Sequence, residues 1–315
     1  MNIFLGDSLI RAIIDCDPGI DDALALILAL KSGELKVEAV TTVGGNMPVE
    51  AATENALKVL ELIDRTDIPV AAGLNPERPL PESVSMHGED GLGNTWLPKP
   101  KVKPSSRDAV ETIISVLHEK PAHVITLGPL TNIASAIEVE PEIKRRIESL
   151  TVMGGAISVP GNITPVAEFN IYMDPEAARK VLRSGIKVTL VPLDVTMQTM
   201  IGEAEIGELE KVGAPVASFA AKALKHYLKM YRMIACTKGC PLHDPLTVAY
   251  RIDPTLMKTQ LLYVDVETKG ELTRGETVAD LRTGKRRIKE TNVEVCLQVD
   301  AERFIRKFIE TVKKT

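Results

Sequence analysis

Ile13-Ile14-Asp15-Cys16-Asp17-Pro18-Gly19-Ile20-Asp21-Asp22 runs directly into Ala23-Leu24-Ala25-Leu26-Ile27-Leu28-Ala29-Leu30, and the architecture of the chain follows from how this stretch folds. Its apolar lead-in reads as a buried strand, Pro-Gly breaks the chain, and the apolar run behind it reads as a helix. Four carboxylates therefore crowd one strand-to-helix turn. Alternation along the strand predicts Asp15 and Asp17 on the same side, with Asp21 and Asp22 opening the helix. Like charges this close raise one another's pKa unless a cation neutralises them. A hard, oxygen-seeking divalent ion such as Ca²⁺ or Mg²⁺ answers that need. A helix N-cap beside a favourable dipole accounts for one of these acids, or two. It does not account for four, and a cation site is the expectation.

Outward from the turn the pattern repeats. Strand-like runs at residues 11–15, 36–43, 69–72, 122–127 and 149–153 alternate with helical spacing at 23–31, 49–63, 106–119 and 131–137. Strand–helix–strand order implies right-handed crossovers and a mainly parallel central sheet flanked by helices, an α/β, Rossmann-like open sheet. Ligands bind such sheets outside the carboxyl ends of the strands. The turns to watch are Gly44-Gly45-Asn46, Gly128-Pro129-Leu130-Thr131-Asn132 and Gly154-Gly155. The proline-rich residues 74–104, centred on Met86-His87-Gly88-Glu89-Asp90, are expected to form a functional lid. Residues 215–234 read as a helix with Tyr227 and Tyr231 one turn apart, 258–298 as short strands, and 301–314 as a basic amphipathic helix. Neither a linker nor an internal repeat interrupts the chain, so residues 1–315 are read as a single domain.

The totals narrow the partners. With 44% apolar residues among 315 a sizeable core can form, and a net charge of −5 with 3% aromatics argues against nucleic acid. The first residues lack the features of a signal peptide, and the longest wholly apolar run, residues 23–30, is too short for a bilayer. No membrane partner and a cytoplasmic location are expected. Cys16, Cys236, Cys240 and Cys296 lack paired zinc-site spacing, and a disulfide between the neighbouring Cys236 and Cys240 would be unusual in most cytosols. All four are read as structural.

The segment from Asp15 to Asp22 resembles the signature of the inosine–uridine-preferring nucleoside hydrolase family. Three later segments agree with it in order: Leu127-Gly128-Pro129-Leu130-Thr131-Asn132, Gly161-Asn162 through Ala167-Glu168-Phe169-Asn170, and His243-Asp244-Pro245. The resemblance implies a Ca²⁺ site of Asp17, Asp22, the main-chain carbonyl of Leu127 and Asp244. It implies that the ion also holds a water and the ribose 2′- and 3′-hydroxyls, with Asp17 as general base. Asp21, Asn162, Glu168 and Asn170 match positions that bind ribose hydroxyls, Asp244 adjoins them, and Asn46 matches a residue near the water and sugar. His243 is implied as the group that protonates the leaving base, being a residue type that titrates near neutrality. His87 matches a base-contacting histidine, and Phe169, Tyr227 and Tyr231 pack near the base or in the core.

Residue chemistry alone keeps plainer readings open. Asp244 suits a helix N-cap ahead of Pro245, and Asn46 suits a left-handed turn position. Glu168 and Asn170 share a face if their segment is extended. The activity implied is hydrolysis of the N-glycosidic bond of ribonucleosides through an oxocarbenium-like transition state. The purine-specific branch of the family has tryptophan where this chain has His243, and Trp96 is the single tryptophan here. Both facts point to pyrimidine (cytidine or uridine) or mixed inosine and uridine preference. The family also implies a homo-oligomer, tetramer or dimer. Two other classes compete: a non-catalytic nucleoside or ribose sensor on the same scaffold, and an Asp-based phosphotransferase. The latter needs phosphate-binding basic residues near the acid turn, and none lies close in sequence.

Overall fold

The computed structural model describes residues 9–79, 84–282, 286 and 289–314. The reading of residues 1–8, part of the expected lid (80–83) and part of the strand-rich segment (283–285, 287 and 288) lie outside the described residues.

The first half follows the predicted alternation. Strands β1 (Ile10–Cys16), β2 (Leu35–Thr42), β3 (Val70–Ala72), β4 (Ala122–Thr126) and β5 (Ile147–Met153) alternate with helices α1 (Ile20–Ser32), α2 (Val49–Leu62), α3 (Ala109–Glu119) and α4 (Thr131–Val139). Next come α5 (Phe169–Met173), α6 (Pro175–Leu182), β6 (Val188–Val191), α7 (Leu193–Thr196), β7 (Met200–Ile201), α8 (Glu203–Val212) and α9 (Pro215–Ile234). The chain ends through β8 (Cys240–Pro241), α10 (His243–Ile252), β9 (Met257–Leu262), β10 (Val264–Val266), β11 (Thr277–Ala279), β12 (Val293–Val299) and α11 (Ala301–Lys313).

Eight strands form one sheet in the order β3-β2-β1-β4-β5-β6-β12-β9, all parallel except the edge strand β9. The chain winds outward from β1 through β2 to β3, then returns to place β4 on the other flank of β1. The strand order therefore reverses between β1 and β4, and their carboxyl ends open a crevice at that switch point. Leu127, just past β4, donates its N–H to the Asp15 carbonyl at 2.8 Å and joins the two ends. Alternation along β1 sends Ala12, Ile14 and Cys16 into the apolar layer with α1, α9, α10 and α11, and Ile13 into the layer with α3, α4 and α6. Helices cover both faces, which explains why the central strands read as near-continuous apolar runs.

Two details depart from the sequence reading. The β1 alternation stops at Cys16, so Asp17 does not share the surroundings of Asp15. The Asp15 Oδ1 instead accepts from Thr41 Oγ1 at 2.5 Å and Asn132 Nδ2 at 2.8 Å. Asp244 is not the residue before a helix, because α10 begins at His243 and places Asp244 within its first turn. All four cysteines are free; Cys236 is exposed and the other three are buried. Among the described residues no helix is long and apolar enough to cross a membrane.

Candidate active site

The acid turn closes on itself before it touches anything else. The Asp22 Oδ1 accepts from Asp17 N at 3.1 Å, and its Oδ2 accepts from Gly19 N at 3.0 Å. Asp22 thus does serve as a cap, and it pins the turn. Asn46, in the turn after β2, donates its N–H to Asp17 Oδ2 at 2.6 Å and its amide Nδ2 to Asp22 Oδ2 at 3.1 Å. Its backbone is not left-handed, so its place here rests on these bonds. The backbones of Gly45 and Gly128 pass close to Asp17: a Cβ there would sit 2.1 Å from Oδ2 and 2.5 Å from Oδ1, respectively. Any larger residue would drive Asp17 from its place.

The first turn of α10 brings Asp244 to this cluster from the far end of the sequence. One oxygen each from the buried Asp21, Asp22 and Asp244 lie within 4.8 Å of one another. Asp17 borders this trio, and its charge acts on Asp244. Burial, then the charge of Asp22, holds the Asp17 carboxyl well above its ordinary range and lifts Asp21 to about 7. Asp244 is pushed well up by burial and then by Asp21 and Asp22, and Asp22 is raised by burial. Among the described residues Asp17 Oδ1 and Asp21 Oδ1 are buried without a hydrogen-bond partner. Lysine and arginine are absent from the described lining of the adjoining cavity. Buried oxygen donors, orphaned atoms and no protein cation together fit a hard divalent ion. Asp15 stands apart: burial raises it to about 7 while Thr41 and Asn132 oppose the rise, so three acids of the turn plus Asp244 make the cluster.

The cavity beside these acids measures about 410 Å³. Its second wall comes from the segment after β5. Glu168 is buried and caps α5, accepting from Asn170 N at 2.9 Å, Gly155 N at 3.0 Å and Ile171 N at 3.1 Å. The segment is therefore helical from Phe169 onward, not extended, and the shared-face condition for Glu168 and Asn170 is not met. They reach the cavity as cap and first-turn residue instead. The Asn170 amide donates to the Leu127 carbonyl at 2.6 Å, which fixes both groups at the end of β4. Asn162 is exposed and accepts from Phe169 N at 2.9 Å.

The third wall consists of rings. His87 ends a short 3₁₀ turn, Val84–His87, and its Nδ1 accepts from Ile20 N at 3.0 Å. With Nδ1 occupied as acceptor, the neutral ring carries its proton on Nε2. His87 lies 5.6 Å from the Tyr227 ring, and Tyr227 meets Tyr231 edge-on at 4.9 Å. The Tyr231 hydroxyl is 3.0 Å from His243 Nε2, and His243 Nδ1 is 2.7 Å from Thr196 Oγ1. Burial, then His226, lowers His87 to about 4, and burial, then His87, lowers His243 to about 3. Both rings are neutral at pH 7. His243 therefore does not titrate near neutrality as expected, because burial outweighs its ordinary basicity. Thr196, Met86, Met153, Met197 and Ile234 also shape this region, and sequence reasoning missed them. Nothing in a lone threonine or an apolar residue at a cavity mouth distinguishes it from core. Every expected site residue except Asp17 and Asp22 lines the cavity, and those two lie behind it, bonded to the lining residue Asn46.

The family model for inosine-uridine preferring nucleoside hydrolases matches residues 12–306. The pyrimidine-specific ribonucleoside hydrolase RihA of Salmonella gallinarum is 42% identical over 300 residues, covering 93% of this chain and 95% of that one. RihA of an Enterobacter species is 40% identical, covering 93% and 94%. Among solved structures, a purine-preferring ribonucleoside hydrolase from Gardnerella vaginalis superposes with a TM-score of 0.90 at 34% identity, covering 96% of this chain and 98% of that one. The plant nucleoside hydrolase PpNRh1 superposes with a TM-score of 0.91 at 34% identity, covering 98% and 100%.

Proposed function

The chain belongs to the inosine-uridine preferring nucleoside hydrolase family, whose members cleave ribonucleosides, and on that footing we propose how its own residues divide the work. Water replaces the nucleobase: an O–C1′ bond forms, the C1′–N bond breaks, and ribose and free base result. The buried acid cluster with orphaned oxygens at the β1/β4 switch point is the observation that carries the assignment.

Asp17, Asp22, the Leu127 carbonyl and Asp244 would hold Ca²⁺, which when bound would supply charge stabilisation and acidify water. Asp17 takes the proton of the attacking water, as a carboxylate with one buried oxygen committed to Asn46 and the other free. Asp21, Asn162, Glu168, Asn170 and Asp244 bind the ribose hydroxyls, and Asn46 steadies Asp17 and Asp22. Carboxylates around the ring favour the positive charge that develops on the sugar. On the ring side the neutral His243, with Thr196 on Nδ1 and the Tyr231 hydroxyl on Nε2, serves the departing base through that hydroxyl as negative charge grows there. His87 offers its Nε2–H to the same base, and Phe169 packs beside it.

Pyrimidine nucleosides, cytidine or uridine, are the proposed preference, with mixed inosine and uridine cleavage as the neighbouring reading. The Salmonella relatives carry the name pyrimidine-specific, and His243 stands where the purine branch has tryptophan. Residues 1–315 are proposed to act as one nucleoside hydrolase domain, since strands from Ile10 to Val299 share one sheet. A cytoplasmic homo-oligomer, tetramer or dimer, is expected, and light scattering tests its size. The central experiment measures reducing sugar released from cytidine, uridine and inosine with and without a chelator. Turnover of none of them by folded, Ca²⁺-loaded protein would overturn the proposal.

A further inference from the structure

Asn55 lies on α2, 2% exposed, and lines no part of the cavity. Its amide nitrogen donates to the Pro18 carbonyl at 3.2 Å and to the Asp90 carbonyl at 3.0 Å. Pro18 belongs to the acid turn; Asp90 belongs to the loop that delivers His87. One side chain thus ties the acid turn to the loop whose His87 already bonds Ile20 N directly. The amide has two N–H groups, one for each carbonyl. Its oxygen faces the other way and accepts from Lys58 Nζ at 3.4 Å.

The loop is built to pass that anchorage on to His87. The Asp90 carboxylate gathers three backbone N–H groups, with Leu92 N and Asn94 N on Oδ1 and Trp96 N on Oδ2, each at 2.8 Å. Gly93 N then donates to the His87 carbonyl at 2.7 Å. Asn94 and Trp96 are held at positive φ, 55° each, a conformation that non-glycine residues keep only where the surroundings impose it. A loop this cross-bonded moves as one piece, so the grip on Asp90 is a grip on His87. Gly91 approaches so closely that a Cβ there would sit 2.7 Å from Asn55 Nδ2, so a side chain at position 91 would push Asn55 off its carbonyls.

We infer that Asn55 is a positioning residue that, together with the direct His87–Ile20 bond, holds the His87 loop against the acid turn, acting on catalysis through His87. The inference rests on the reading of His87 as a base-side residue. Asn55→Asp turns the two donors into an oxygen facing two carbonyl oxygens, while Asn55→Ala removes the donors without repulsion.

The test measures kcat and KM on uridine at saturating Ca²⁺ for Asn55→Asp, Asn55→Ala, His87→Ala and the double variant Asn55→Ala/His87→Ala. Asn55→Ala is expected to lower kcat/KM about 10–100-fold, as for its two lost buried hydrogen bonds. That loss divides between kcat and KM in the proportion seen for His87→Ala, and Asn55→Asp loses more. In the double variant the Asn55 substitution adds little to the His87 loss, since residues that act through one another are not additive. Losses that multiply would overturn the inference while leaving His87 its role. A His87→Ala variant as active as the parent would remove the base-side reading and the inference with it. Failure of both Asn55 variants to fold would assign Asn55 to stability alone and likewise overturn it.

Discussion

The two faces of the cavity solve opposite electrostatic problems. The acid face buries four carboxylates with no lysine or arginine among the described lining residues, so their charged forms are costly without a counter-ion. The ring face buries two imidazoles and two phenols, and burial keeps all four neutral. In the proposed mechanism one face serves the positive charge that forms on the sugar, the other the negative charge that leaves with the base. Their origins differ as well. The acid face sits on sheet ends and on the first turns of two helices, whereas the ring face is assembled from a loop, α9 and the first residue of α10.

Disarming the acid face challenges this division most directly. Asp17→Asn is expected to lower kcat about 10²–10⁴-fold on every nucleoside alike, as for loss of a positioned acid–base group. Chelation should abolish turnover, and Ca²⁺ should restore it; an Asp17 variant that changes the uridine-to-inosine ratio instead would blur the division. Disarming the ring face should cost less and discriminate more. His243→Ala and Tyr231→Phe are each expected to lose about 10–100-fold in kcat/KM, the cost of a hydrogen bond to developing charge. They should also shift the uridine-to-inosine ratio, measured with both nucleosides on the same preparation.

A thermal melt contrasts the faces without catalysis. Asp21 rises from 3.8 to about 7 on folding, so the folded chain holds the extra proton between those values. Its contribution therefore falls as pH rises from about 4 to 7 in chelated protein. Ca²⁺ at about 100 times its Kd should add about 3 kcal/mol and flatten that slope. Scanning calorimetry at several pH values, with Asp21→Asn as the control, reads both effects. The smallest expected effect has the opposite sign. His87 falls from 6.5 to about 4, so its neutral burial contributes fully above 6.5 and loses stability as pH drops toward 4. His87→Gln should remove that part of the acid-side slope and leave the melt at pH 7.5 nearly unchanged. An unaltered slope would mean the ring is already charged in the fold.

Sequence patterns were most legible where the chemistry is local. Periodicity placed five strands and the helices between them, and it bounded α9 at its observed ends, Pro215–Ile234. Asp17, Asp21 and Asp22 stood out because four acids around one Pro-Gly break repel one another too strongly to be left without a counter-ion. Glu168 and Asn170 were open to either conformation, since a two-residue spacing cannot tell a strand from a cap with the first turn behind it. Within the expected lid Leu92 is 1% exposed, and Asp90 cross-bonds the loop from within. A count of prolines and glycines registers irregularity, not how tightly an irregular segment is packed.

Chain order by itself dictates the alternating α/β layering and the acid turn, because strand and helix periods and neighbouring charges are written within a few residues of each other. Which distant groups meet was settled only by packing in three dimensions. His243 finds Thr196 across 47 positions, Asn132 finds Asp15 across 117, and Asn55 joins Pro18 to Asp90. Such meetings follow from the reversal of strand order between β1 and β4 and from the placement of α9 and α10 over it. The protonation of the buried rings was likewise invisible, since burial is a property of the packed fold and leaves no mark on residue type.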